Sequence, residues 1–333
     1  MDIGELLLRA GRITWRHKTL WWLGLLPGLT HVVTALLRLW FTGYARREWW
    51  PLLAGLDPAR LPALEQWLFS PALSGALFNA QFMVTAVLWL FLAGIGYWLV
   101  FTLAEASVIA VTLGIVNGRP ISVGRSLAIG RRFLGRFIAI DAVVFLPWFV
   151  LALAAMLVGL VTVAATAVFA LQETAVQSLI ATMGLGLSCA ALLACLLLPV
   201  SFLSVRFRAL AFRDTAAVGG PVRQSIRHTW QTIRQNLAEV LILVAMLWGL
   251  QYIFNLLMSL VSLPLGLAAA VPTLLSFSQT TGGATTAAAN LLSLAAAVLL
   301  AAPQALLFVY VSVAWTLAYM QWAGSEQRTQ SEI

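Results

Sequence analysis

The stretch GRITWRHKTLWWLG, residues 11–24, passes directly from basic residues into tryptophans and leucines. Such a stretch can be a nucleic-acid-binding arm, the start of a cleaved signal peptide, or a helix that enters a membrane. The apolar run that follows, about 19–41, is longer than the core of a signal peptide, which has about 7–15 residues. No small-x-small cleavage site lies around 34–39. We therefore interpret the stretch as the beginning of a retained membrane span.

The composition of the whole chain supports the membrane interpretation. Of the 333 residues, 61% are hydrophobic and 10% are charged, whereas soluble globular proteins carry about 25% charged residues. So few charges cannot cover a water-facing surface. The apolar runs are continuous rather than alternating, which is not the pattern of an outer-membrane barrel. The sequence predicts an all-α, polytopic membrane protein.

Six runs are long enough to cross a bilayer, which requires about 20 apolar residues. The predicted spans are 19–41, 81–116, 137–171, 177–205, 237–274 and 288–321. Arginines and lysines are concentrated before the first span, between the second and third, and between the fourth and fifth. The connections near Glu173 and near 280–286 contain none. By the positive-inside rule, we predict a multi-pass protein of the inner (plasma) membrane with both termini cytoplasmic.

Three basic segments, each placed before a pair of spans, share one pattern. They are IGELLLRAGRITWRHKTL (3–20), SVGRSLAIGRRFLGRFIAI (122–140) and PVRQSIRHTWQTIRQNLAEV (221–240). The pattern predicts a single membrane domain, 1–333, made of three repeat units at about 1–117, 118–216 and 217–333. Each unit is a basic amphipathic helix followed by a helical hairpin.

Winding these segments as helices, at about 100° per residue, separates apolar from basic residues. In the first segment the apolar side contains Ile3, Leu6, Leu7, Ala10 and Ile13. In the second it contains Val123, Leu127, Leu134 and Ile138, and in the third Val222, Ile226, Trp230, Ile233 and Leu237. The predicted contacts to anionic lipid or a partner are Arg9, Arg12, Arg16, Lys18, Arg125, Arg132, Arg136, Arg223, Arg227 and Arg234.

Ionisable residues inside spans are functional candidates because they are costly in lipid. Glu105 lies well inside the second span, where it can pair with Arg136 or Arg16, or serve as a proton relay. Asp141 and Glu239 follow the second and third basic segments at similar positions. That placement favours a structural role, such as pairing with a neighbouring arginine.

The sequence shows no motif of an enzyme or of a metal site. None of His17, His31 and His228 has a metal-binding partner four residues away, and His31 in the first span is interpreted as a packed or hydrogen-bonded side chain. Cys189 and Cys195 lie in one apolar run and are interpreted as buried small residues. No hydrolase, zinc-protease, nucleotide or dinucleotide motif is present. We predict no catalytic residue, no cofactor and no metal.

Three stretches of the sequence carry a resemblance to a known family. They are IGELLLRAGRITWRHKTLWWLG (3–24), GRPISVGRSLAIGRRFLGRF (118–137) and PVRQSIRHTWQTIRQNLAEV (221–240). Their layout resembles the membrane domain attached to some glycerophosphodiester phosphodiesterases, and related stand-alone six-span proteins of bacteria and archaea. The catalytic part of that family has an early His-Arg dipeptide, and no histidine here precedes an arginine. The resemblance therefore implies a membrane module without catalytic residues.

These features predict a non-enzymatic membrane protein that organises lipid or a partner through its cytoplasmic basic helices. The expected partners are membrane lipids and a membrane protein or a second copy of the chain. Nucleic acid is not expected, because nothing beyond the net charge of +8 supports it. The alternative is a transporter or lipid-handling permease with a water-accessible cavity around Glu105. An intramembrane enzyme is a third hypothesis.

Overall fold

A computed structural model of the chain describes residues 2–48, 80–119, 121–169, 201, 203–278 and 283–331. The regular structure in these residues is entirely α-helical, which confirms the predicted fold class for them. The helices are α1 (Ile3–Arg16), α2 (Lys18–Glu48), α3 (Ala80–Val116), α4 (Val123–Phe169), α5 (203–218), α6 (Val222–Gln235), α7 (Leu237–Ser278) and α8 (Gly283–Ser331).

Four stretches of helix in the described residues are long and apolar enough to cross a membrane. They are Leu88–Val116, Val123–Leu151, Leu237–Pro264 and Leu294–Gly324. These stretches overlap the second, third, fifth and sixth predicted spans. The first predicted span, 19–41, lies within α2 and is not one of the four, and the fourth, 177–205, lies mostly outside the described residues. The count of six spans stays a prediction.

The three basic segments join their spans in two different ways. A single residue, His17 after α1 and Asn236 after α6, separates the basic helix from the helix that follows. Each of these residues donates its backbone N–H to the carbonyl four residues earlier, at 3.1 Å. The second basic segment has no such break, because α4 runs continuously from Val123 to Phe169.

The turns that precede the second and third basic segments both depend on a glycine. Gly118 follows α3 with a φ of 70°, and Gly219 follows α5 with a φ of 74°. Glycine adopts this left-handed conformation readily because it has no Cβ, and it commonly ends helices in this way. The next helix then begins at Val123 and at Val222 respectively.

The chain divides into two compact units, which we describe separately. The first unit comprises residues 2–128 and 245–314, and the second comprises 129–244 and 315–333. In the first, the ring of Phe101 packs edge-on against Phe308 with centroids 5.1 Å apart. In the second, Phe137 and Phe212 stack with centroids 3.9 Å apart. The single domain and the three repeat units stay predictions.

Two glycines of α2 allow this helix to lie directly against α8. A Cβ added to Gly24 would be 2.6 Å from the carbonyl oxygen of Ala305, and one added to Gly28 would be 2.7 Å from that of Ala301. Such distances are too short for any side chain, so the backbones touch only because both residues are glycine. Close approach at small residues is a main source of helix association in membranes, where lipid removes the hydrophobic driving force.

The close approach at Gly24 predicts opposite effects for two similar substitutions. Gly24→Ala forces a methyl group against the α8 backbone, and overpacking of this kind costs about 1–3 kcal/mol. Gly94→Ala places its methyl group where no atom lies within 4 Å, and it gains about 0.5–1 kcal/mol in helix stability. Thermal unfolding in detergent should therefore show a lower midpoint for Gly24→Ala and a slightly higher one for Gly94→Ala. Equal midpoints for the two variants would contradict the contact.

Candidate functional site

All the basic residues predicted to contact lipid or a partner have exposed side chains. This holds for Arg9, Arg12, Arg16, Lys18, Arg125, Arg132, Arg136, Arg223, Arg227 and Arg234. They lie on α1, at the start of α2, on the first turns of α4 and on α6. Arg136 also donates from Nη1 to the carbonyl of Gly219 at 2.8 Å, which links α4 to the turn before α6. The exposure leaves these cations accessible, and their binding to lipid stays a prediction.

The two short basic helices bury different kinds of residue, since α1 buries part of its apolar side and α6 buries hydroxyl residues. The buried residues of α1 and α6 are Leu6, Ala10, Thr14, Ser225, Thr229 and Thr232. In α6 the predicted apolar stripe is not the buried face, and Trp230 on this stripe is 61% exposed. The small hydroxyl residues let α6 lie close to its neighbours, and the indole of Trp230 is left on the outside.

The three basic helices begin in the same register. The first buried residue of each is Leu6, Ser126 or Ser225. Their backbone N–H groups donate to the carbonyls of Asp2 (3.1 Å), Ser122 (2.9 Å) and Pro221 (3.1 Å) respectively. The caps themselves differ, because Asp2 accepts a hydrogen bond from Glu5 through its side chain and Pro221 has no side-chain cap. The shared register is what a repeated unit would produce.

Glu105 lies in the most deeply buried part of α3. Its side chain is 6% exposed, and the residues from 106 to 112 are buried as well. Among these, the hydroxyl of Thr112 donates to the carbonyl of Val108 at 2.7 Å. The water access to Glu105 that the transport hypothesis requires stays a prediction. The pairing of Glu105 with Arg16 or Arg136 stays a prediction, and the side chain of His31, in α2, lies outside the described residues.

Asp141 and Glu239 have different partners despite their similar positions in the sequence. Arg208 of α5 donates to Asp141 of α4 with two nitrogens, from Nε to Oδ1 at 2.5 Å and from Nη2 to Oδ2 at 3.3 Å. Both side chains of this ion pair are buried. Glu239 of α7 instead accepts a hydrogen bond from the indole of Trp322 at 2.7 Å. From the sequence, such acids either pair with an arginine or face the interface, and Asp141 has an arginine partner.

Asp214, which the sequence analysis did not consider, joins three helices of the second unit. This residue of α5 is 2% exposed, and its Oδ1 accepts a hydrogen bond from the hydroxyl of Tyr319, in α8, at 2.6 Å. The same oxygen contacts Nδ1 of His228, in α6. The histidine side chain remains 32% exposed, so this contact links the buried carboxylate to the surface of the basic helix.

Three arginines, Arg206, Arg208 and Arg213, precede this carboxylate on α5. Arg213 is buried and donates to the carbonyl of Ala209, while the guanidinium of Arg208 lies 4.3 Å from the ring centroid of Phe212. Arg206 lies 6.0 Å from the ring of Trp315, and burial lowers the pKa of its guanidinium, although arginine stays protonated in proteins. The sequence analysis assigned these residues to a cytoplasmic connection. The Arg-Asp dipeptide 213–214 within an otherwise apolar stretch was the available indication that Arg213 and Asp214 are buried.

The buried groups form a set of charge-assisted hydrogen bonds that fixes the position of α5. Such bonds suit structural linkage, since Asp141 and Asp214 each accept a hydrogen bond from another helix. No three side chains of His, Cys, Asp and Glu converge as a metal site in the described part of the chain. Comparisons with protein-family models, with curated proteins and with solved structures gave no match.

The ion pair between Arg208 and Asp141 predicts a strongly non-additive pair of substitutions. Arg208→Met leaves a buried carboxylate without its bidentate partner, which costs about 3–5 kcal/mol in the free energy of unfolding. The double variant Arg208→Met/Asp141→Leu removes both charges, so it should recover most of that loss. Unfolding by SDS in mixed micelles measures both, with the exposed Arg227→Met as the control. If the double variant loses as much free energy of unfolding as Arg208→Met and Asp141→Leu lose together, the two residues are not coupled.

Proposed function

We propose that this chain is a non-enzymatic integral membrane protein that organises anionic lipid, or a partner protein, through its three basic helices. The observation that carries the proposal is the separation of charge. The ten basic residues of these helices are exposed, whereas the carboxylates of Glu105, Asp141 and Asp214 are buried. The exposed positive charge is therefore not neutralised by these acids. Each lysine or arginine near an anionic leaflet contributes about 1 kcal/mol of attraction.

Exposed tryptophans beside the basic residues support a position at the membrane surface. Trp15 of α1 is 70% exposed, and Trp22 of α2 and Trp230 of α6 are also exposed. Tryptophan is enriched at the lipid–water boundary, because its ring is apolar and its N–H is polar. At the break after α1, the indole of Trp21 donates to the carbonyl of Thr14 at 2.7 Å, which fixes the angle between α1 and α2.

The proposal includes six spans, three repeat units and cytoplasmic termini in the inner membrane. It is supported by the asymmetric distribution of Lys and Arg and by the shared register of the three basic helices. The resemblance to the membrane domain of glycerophosphodiester phosphodiesterases is part of the same proposal.

This topology predicts the sides from which single cysteines can be labelled. In a background without Cys189 and Cys195, Arg227→Cys should react with a membrane-impermeant maleimide only after the cells are opened. Thr280→Cys, in a connection predicted to lie outside, should react on intact cells and serves as the matched control. Labelling of Arg227→Cys from outside on intact cells would overturn the cytoplasmic position of the basic helices.

The lipid interaction predicts a charge-dependent enrichment of anionic lipid around the protein. In nanodiscs of phosphatidylcholine and phosphatidylglycerol, the wild type should co-purify with an excess of phosphatidylglycerol that decreases as salt screens the charges. Arg223→Gln/Arg227→Gln/Arg234→Gln should reduce this excess, and the same three residues changed to lysine should retain most of it. Lipidomic mass spectrometry of the re-extracted protein provides the measurement. No excess in the wild type, together with no co-purifying protein, would contradict the proposed function.

A further inference from the structure

A groove on the first unit is formed between α1 and one residue of α8. Its volume is about 730 Å³, which falls in the range of about 300–1,000 Å³ that is usual for ligand sites. The α1 residues that line it include Leu7, Gly11 and Arg12, and α8 contributes Tyr310. All these residues belong to the same compact unit.

The floor of the groove exists because residue 11 is a glycine. A Cβ added to Gly11 would lie 3.7 Å from Cε2 of Tyr310, so that a larger side chain would extend across the tyrosine ring. The hydroxyl of Tyr310 donates to the carbonyl of Leu7 at 3.3 Å, which holds the ring against α1. The floor therefore consists of the Tyr310 ring and the backbone of α1 at Gly11, which has no side chain.

The walls of the groove are large apolar side chains that the chain itself leaves uncovered. Leu8 is 69% exposed and Trp15 is 70% exposed, and both line the groove. Exposed apolar side chains around a concavity mark a site for an apolar ligand or for lipid. An acyl chain is therefore a suitable occupant of the space between Leu8 and Trp15.

The rim of the groove carries two exposed arginines, Arg12 and Arg16. They are four residues apart on one helix, which places their Cβ atoms about 5–6 Å from each other. Two guanidinium groups at this separation can both donate to one phosphate. No carboxylate is among the described residues that line the groove. The rim therefore favours a headgroup with a net negative charge over one whose own cation would be repelled.

We propose that this groove binds one anionic glycerophospholipid. An acyl chain lies over Gly11 and Tyr310, between Leu8 and Trp15, and the phosphate is held by Arg12 and Arg16. This inference rests on the proposed function, since it requires α1 to lie at the membrane surface. It adds a defined site with a defined stoichiometry to what is otherwise a general attraction between basic helices and an anionic leaflet.

The test fills the groove without removing any charge. Gly11→Leu places a side chain over Tyr310, while Gly135→Leu makes the same change in another basic segment where no atom lies within 4 Å. The full-length protein is purified with phosphatidylglycerol, and native mass spectrometry counts the lipids that remain after stepwise detergent washing. We expect one tightly retained phosphatidylglycerol in the wild type and in Gly135→Leu, and its loss in Gly11→Leu. The smaller variant Gly11→Ala, whose methyl group makes an ordinary contact, should retain it.

A second pair of variants tests the headgroup contact. Arg12→Gln/Arg16→Gln should weaken the retained phosphatidylglycerol about tenfold or more, as expected for the loss of charge-assisted hydrogen bonds. Arg223→Gln/Arg227→Gln removes the same charge from α6 and should leave this one lipid in place. Thermal unfolding of each variant confirms that the fold is intact.

The possible results separate the groove from the general proposal. Enrichment of phosphatidylglycerol in the wild type without a retained lipid that depends on Gly11 would overturn the groove and leave the proposed function standing. No enrichment at all would overturn both. Displacement of the lipid by glycerol phosphate at equal concentration would reassign the site to a free phosphate compound and overturn the acyl-chain contact. Equal retention of phosphatidylcholine would overturn the role of the two arginines.

Discussion

An ionised side chain near a bilayer must either meet a partner inside the protein or stay at the polar surface, because lipid does not solvate charge. Charged residues in the described part of the chain follow that constraint. Asp141 is held by Arg208, and Asp214 is held by Tyr319 and contacts His228. The arginines and the lysine of the basic segments are instead exposed on the surface of the protein. The same rule thus accounts for both the hydrogen-bonded carboxylates inside the second unit and the exposed arginines of the basic helices.

A second constraint comes from small residues, which allow the backbones of two helices to approach closely. Gly24 and Gly28 bring α2 against α8, and the hydroxyl residues of α6 form its buried face. On α1 and α6 the indole rings of Trp15 and Trp230 are left exposed. Exposed indole rings such as these would be unfavourable in water. At a membrane surface they supply anchoring residues.

The membrane proposal and the lipid groove follow from this division of roles. The side chains that could act as acids or bases, namely the buried carboxylates of Asp141 and Asp214 and the partly exposed His228, make contacts between helices. The exposed residues are those that can recognise something outside the chain, and they are arginines, tryptophans and leucines. That combination suits a phosphate with an acyl chain, which is why the binding site is placed on α1 rather than around Asp214.

The sequence alone was sufficient to predict helices, apolar spans and exposed arginines, because length, composition and charge act locally along a chain. It could not predict the partners of Asp214, since Tyr319 is 105 residues away and only folding brings them together. It also could not show which face of α6 is buried, because a helical pattern gives the angle between two faces without showing which one meets a neighbour. Tertiary packing decided that question, and the smaller side chains were the ones that fitted.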